Sequence, residues 1–133
     1  MDSPERTTRP DENRRERLQR SKRLRQADYV EVLGKKRAFQ GRYVVLCLGP
    51  DAGLPHAQIG VVTSRRTLGT AVERNRARRL MREAFRTQQQ KIRPGARIVL
   101  IARKNLAAGC GLAEVARDFK TLCVRAEVWE NKE

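Results

Sequence analysis

The run Arg97 to Ala102, RIVLIA, constrains the fold most. Its apolar residues are consecutive, with no polar alternation, which suits a strand buried on both faces. Pro94 and Gly95 supply the turn that enters it. Two more runs, YVVLCL from Tyr43 to Leu48 and QIGVVTS from Gln58 to Ser64, are short and rich in β-branched residues and are read as strands. Before them, RQADYVEVLGKK carries Ala27, Tyr29, Val30, Val32 and Leu33 and stops at Gly34, the pattern of a short amphipathic helix with a glycine cap. Near the end, Leu112, Val115, Phe119, Leu122 and Ala126 recur every three or four residues, which predicts a helix that covers one face of a sheet. The order helix, strand, strand, helix, strand, helix describes an α+β sandwich of about 110 ordered residues.

Between the second and third strands lies Glu73 to Arg86, ERNRARRLMREAFR, with six arginines in fourteen residues. Thr70 and Glu73 have the spacing of a capping box, so a helix is expected to start at Thr70. At 100 degrees per residue, Ala77, Leu80, Met81, Ala84 and Phe85 fall in one arc of about 140 degrees, and Asn75, Arg78, Arg79, Arg82 and Arg86 in an opposing one. Arg74 projects near the apolar edge and Arg76 on the far side. A charged helix face is ordinarily just a solvated one. An exposed helix, however, normally interleaves acids with its bases, and only Glu83 interrupts the series from Arg74 to Arg86. The preceding loop, Ser64 to Thr70, adds Arg65 and Arg66 at a helix N-terminus, where free backbone N–H groups favour an anion. Loop and helix together read as one phosphate-binding surface. A nucleotide-binding P-loop is the competing reading, but GxxxxGK[ST] is absent.

Charge supports that surface. The 133 residues carry a formal net charge of +15, and Arg outnumbers Lys 23 to 7. Arg forks two donors onto phosphate oxygens, so nucleic acid is the leading partner. A membrane is the rival, but no apolar run nears the roughly 18 residues of a spanning helix, and no signal peptide is apparent; a cytoplasmic protein is expected. Residues 1–17, MDSPERTTRPDENRRER, have no hydrophobic residue after Met1 and are expected to be a disordered charged tail. One domain over 18–128 and a short tail over 129–133 complete the chain. Cys47, Cys110 and Cys123 form no CxxC pair and read as small buried hydrophobes, with no metal site indicated. The single histidine, His56, follows Gly53, Leu54 and Pro55 in a loop with no nucleophile arranged around it. No catalytic residue is assigned.

The run IGVVTSRRTLGTAVERNRARRLMREAFR, Ile59 to Arg86, resembles the signature of the bacterial ribonuclease P protein subunit: a strand, Ser with two basic residues, Gly-x-Ala-Val, Arg-Asn-Arg and a basic helix. RLRQADY, RIVLIAR and the C-terminal amphipathic helix follow the family's order, so the resemblance covers roughly residues 22–126. It implies a small two-layer αβββαβα-type sandwich, ribosomal protein S5 domain 2-like, with a left-handed βαβ crossover where general sterics would favour a right-handed one. It also implies the protein subunit of a ribonucleoprotein endoribonuclease, a monomer in a 1:1 particle with a catalytic RNA. That RNA would use Mg²⁺, bound mainly by RNA and substrate and not by the protein alone, to remove the 5′ leader of precursor tRNA. By the family match, Arg74, Asn75, Arg76, Arg78, Arg79 and Arg82, with Arg65 and Arg66 beside them and Arg86 further along the same face, would hold RNA.

The resemblance further implies a leader cleft between the first helix and the sheet, lined by Tyr29 with Leu33 and flanked by Arg42. Stacking on an aromatic ring is worth about 1–3 kcal/mol per base. Leu33 stands where a second aromatic is common, which shifts the grip towards charge, and Tyr29 also fits an ordinary core aromatic. Thr67 makes the loop a residue longer than the family pattern. Two other functions fit parts of the sequence. A ribosome-associated or general RNA-binding protein would share the basic surface without a processing reaction. An autonomous nuclease would need grouped carboxylates, whereas Glu73, Glu83, Glu114 and Asp118 are scattered over helices.

Overall fold

The computed structural model describes residues 22–25, 29, 32–33, 37–107 and 109–130. The expected tail over 1–17, Ala27, Val30, the Gly34 cap and the last residues, 131–133, lie outside the described residues. These form a four-stranded sheet in the order β1-β2-β4-β3, with β1 Ala38–Gln40, β2 Val44–Leu48, β3 Gln58–Val62 and β4 Arg97–Ala102. β2 is antiparallel to β1 and β4, whereas β3 and β4 are parallel. A parallel pair needs a crossover, and α1, Ala71–Gln88, supplies it. The second helix is α2, Leu112–Arg125. β1 is the strand that residue patterning missed: AFQ is three residues long and largely exposed, too short to show a period.

Burial explains the RIVLIA run. β4 is central, and Ile98, Leu100 and Ala102 enter the main core with Met81, Phe85, Phe119 and Leu122. Val99 points the other way, into a smaller cluster with Leu24, Val32 and Cys47. The helices α1 and α2 therefore cover one face, and Leu24, Tyr29 and Val32 pack on the other. Phe85 and Phe119 join the two helices edge to face, with centroids 6.3 Å apart, and burying each side chain is worth about 1.5–3 kcal/mol. On α1, Ala77, Met81, Ala84 and Phe85 are buried as the period predicts. On α2, Val115, Phe119, Leu122 and Cys123 are buried, but Leu112, placed by sequence on the apolar stripe, is 38% exposed because it opens the first turn.

Three contacts hold the elements in register. Asp118 on α2 accepts backbone N–H groups of Arg42 (3.0 Å), Tyr43 (2.8 Å) and Val44 (3.2 Å), which pins the β1–β2 turn to the helix. Gly60 makes room for Tyr29: a β-carbon there would lie 2.5 Å from Tyr29 Cζ. Gly49 does the same for Val32, whose Cγ2 would be 2.6 Å from an added β-carbon. Beyond α2, Trp129 forms an isolated antiparallel bridge with Ile92.

Candidate nucleic-acid interface

The interface is built from the start of α1. Thr70 caps the helix by accepting from Glu73 N (3.1 Å), and the Glu73 carboxylate accepts from Thr70 N in return, completing the predicted capping box. Thr67, the extra loop residue, closes the preceding turn. Its backbone N–H donates to Ser64 Oγ (3.1 Å), and the two hydroxyls are bonded at 3.0 Å. Leu68, 1% exposed, plugs the loop into the core. Arg65 and Arg66 are left exposed at the tip of this turn.

The arginines of α1 divide by what they touch. Arg74 turns back and donates to the carbonyl oxygens of Leu68 (3.0 Å) and Gly69 (3.2 Å), tying the loop to the helix. Arg76 reaches the Cys110 carbonyl, on the approach to α2. Arg86 pairs with Glu83 at 2.9 Å, so its charge is offset within the helix. Arg78 donates to Thr63 Oγ1 (2.7 Å) and to the Asn75 side-chain carbonyl, both neutral acceptors. Arg79 is exposed and Arg82 half-buried. Burial pulls the Arg82 pKa below its ordinary value, and Arg23 beside it pulls further; Tyr29 offsets part of this, and Arg78 adds a smaller like-charge effect. A guanidinium stays charged at neutral pH regardless, so three crowded cations create a site that an anion would relieve.

Sequence placed Tyr29, Leu33 and Arg42 in one cleft. Tyr29 and Leu33 belong to the stretch before β1, whereas Arg42 sits at the turn between β1 and β2. Tyr29 lies on the edge strand β3, and its hydroxyl accepts the outward N–H of Val61 (3.0 Å). Leu33 is 40% exposed. Between the Tyr29 segment and the sheet, Val45, Val62 and Ile101 remain only partly buried around Cys47 and Val99. Arg42 lies at the turn into β2, with β4 between β2 and β3, and its guanidinium rests 5.8 Å from the Tyr43 ring centroid. Tyr29 is therefore a packing residue that seats on Gly60 and caps the Val61 N–H.

Sequence reading passed over Arg23, Thr63 and Gly60. Arg23 forms a parallel bridge with Ile59 on the outer edge of β3, and Leu24 N donates to Ile59 O at 2.9 Å. An isolated glycine inside a strand pattern is a signal of close approach, so Gly60 was detectable; Arg23 and Thr63 carried no local signal. All three cysteines are free and buried. Burial pushes the Cys123 thiol up to about 12 and raises those of Cys47 and Cys110, so none supplies a thiolate at neutral pH. His56 lies beside its neighbour's carbonyl, Nδ1 to Ala57 O at 3.3 Å. Among the described residues no three His, Cys, Asp or Glu side chains cluster to hold a metal ion, and no helix is long and apolar enough to cross a membrane.

A four-stranded mixed sheet backed by two helices, with an arginine-rich helix crossing over at its β3 edge, defines a small basic α+β domain of the ribosomal protein S5 domain 2-like type. Residues 18–127 match the model of the family described as Ribonuclease P. The ribonuclease P protein component of Herpetosiphon aurantiacus is 34% identical over 117 residues, covering 87% of this chain and 93% of that protein. That of an Exiguobacterium species is 36% identical, covering 79% and 89% respectively. The solved RNase P protein of Thermotoga maritima superposes with a TM-score of 0.68 at 29% identity, covering 77% of this chain and 96% of that one. That of Staphylococcus aureus gives 0.69 at 23%, which speaks to the fold. The chain belongs to the ribonuclease P protein family.

Proposed function

We propose that this chain, as the protein component of ribonuclease P, holds the RNA subunit on the α1 surface and guides the 5′ leader of precursor tRNA along the Tyr29 and Leu33 side of the sheet. One observation carries this reading: Arg78, Arg79 and Arg82 share a side of one helix and none has an acidic hydrogen-bond partner among the described residues. Arg65 and Arg66 extend that side into the loop at the helix N-terminus. RNA phosphates supply the missing negative charge, and Arg74 and Arg76 hold the scaffold that presents it.

Bond cleavage is assigned to the RNA, where Mg²⁺ held by RNA and substrate phosphates would supply the activated water. The protein's part is electrostatic and positional: it screens phosphate repulsion between the two RNAs and binds the leader in extended form. The particle is expected to contain one protein per RNA, in the cytoplasm. Reconstitution with the cognate RNA tests the reading. The protein alone should cleave nothing, and adding it to the RNA should lower the Mg²⁺ concentration needed for precursor tRNA processing. Processing at low Mg²⁺ that is indifferent to the protein would refute it.

A further inference from the structure

We infer that Thr63 is a positioning residue for RNA binding: with Asn75 it forms a neutral cradle that fixes the Arg78 guanidinium without offsetting its charge. Thr63 directly follows β3, and its Oγ1 accepts from Arg78 Nη1 at 2.7 Å; Asn75, one helical turn before Arg78, accepts from Nη2. The guanidinium has five N–H donors, of which these contacts use two. The remaining donors keep the full positive charge behind them.

Arg86 shows the alternative. It is held by Glu83 through both Nε and Nη2, so its orientation is obtained by neutralising it. An arginine meant for phosphate cannot be treated that way, because a fixed carboxylate competes with the phosphate for the same fork. Left unheld, it would spend side-chain freedom on each binding event. A hydroxyl and an amide carbonyl avoid both penalties. Thr63 suits the task because it directly follows β3, which is paired to β4, so the cradle joins the helix to the sheet.

This rests on the RNA-binding reading of Arg78, and the test separates the two. Binding of the full chain to its cognate ribonuclease P RNA is measured as a function of salt for wild type, Thr63→Val, Thr63→Ser, Arg78→Ala and the Thr63→Val/Arg78→Ala double variant. Valine keeps the shape and removes the acceptor. Thr63→Val should weaken binding roughly three- to tenfold, the range of one lost hydrogen bond, and leave the salt slope unchanged because no charge is lost. Thr63→Ser should restore most of the affinity. Arg78→Ala should weaken binding and shallow the slope by roughly 0.7–0.9, one phosphate contact, and in that background Thr63→Val should cost nothing more. If Arg78→Ala weakens binding and Thr63→Val does not, or if the valine costs as much without Arg78 as with it, the positioning role is wrong. If Arg78→Ala changes neither affinity nor slope, the RNA contact of Arg78 fails and the cradle fails with it.

Discussion

Asp118 shows how one side chain can serve the whole frame. Its carboxylate receives three successive backbone N–H groups from Arg42, Tyr43 and Val44, and the adjacent Gly41 leaves it room, since a β-carbon there would lie 2.6 Å from Oδ2. Sequence reading weighed Asp118 only as a scattered acid on a helix, and no local pattern could say that a turn 75 residues away in the chain would meet it. Asp118→Ala should destabilise the protein by about 2 kcal/mol, a typical cost of removing charged hydrogen bonds at a half-exposed site. A urea midpoint within error of wild type would show that water replaces the carboxylate there.

At the scale of elements, the N-terminal segment on β3 is the decisive addition. β3 is an edge strand, and exposed edges invite pairing with other chains. Here Arg23 and Leu24 pair with Ile59, and the Tyr29 hydroxyl takes the Val61 N–H, so the outer edge of β3 is covered at both residues. Gly60 lies between these contacts. Gly60→Ala should push the Tyr29 ring off the strand and cost about 1–3 kcal/mol, as overpacking does. Hydrogen exchange at the Val61 amide should accelerate with it. An unchanged amide would mean that the ring tolerates the methyl and that Tyr29 is not the strand's cover. By contrast, the existence and phase of α1 were legible beforehand: capping box, apolar arc and basic arc all matched. The strands were legible through β-branching, except β1, which is too short and too exposed to leave a pattern.

For the molecule as a whole, charge sets two opposite responses to salt. A net charge of +15 on 133 residues repels itself in the folded state, where the arginines are crowded, more than in an expanded chain. Raising salt from about 0.05 to about 0.5 M, which shortens the Debye length to a few ångströms, should therefore raise the melting temperature of the free protein. The same change should weaken RNA binding steeply, because counterions compete with the protein for phosphate. A melting temperature that falls with salt would show that Arg86–Glu83 and Arg93–Asp51 attractions outweigh the repulsion.

Local pattern was enough for the α+β class, for both helices and three strands, and for a basic face meant for a polyanion. Periodicity and capping act within a turn or two of chain, and net charge does not depend on folding. Tertiary packing decided what each arginine of α1 touches. Arg74, Arg76 and Arg86 share the helix with Arg78 and Arg79, yet the first two meet backbone carbonyls of Leu68, Gly69 and Cys110, and the third meets Glu83. It also placed Arg23 and Thr63 beside α1, Tyr29 against β3, and Arg42 at the turn into β2. Those outcomes depend on which distant backbone groups come within about 3 Å, the reach of a hydrogen bond, and that distance exists only after the sheet has assembled.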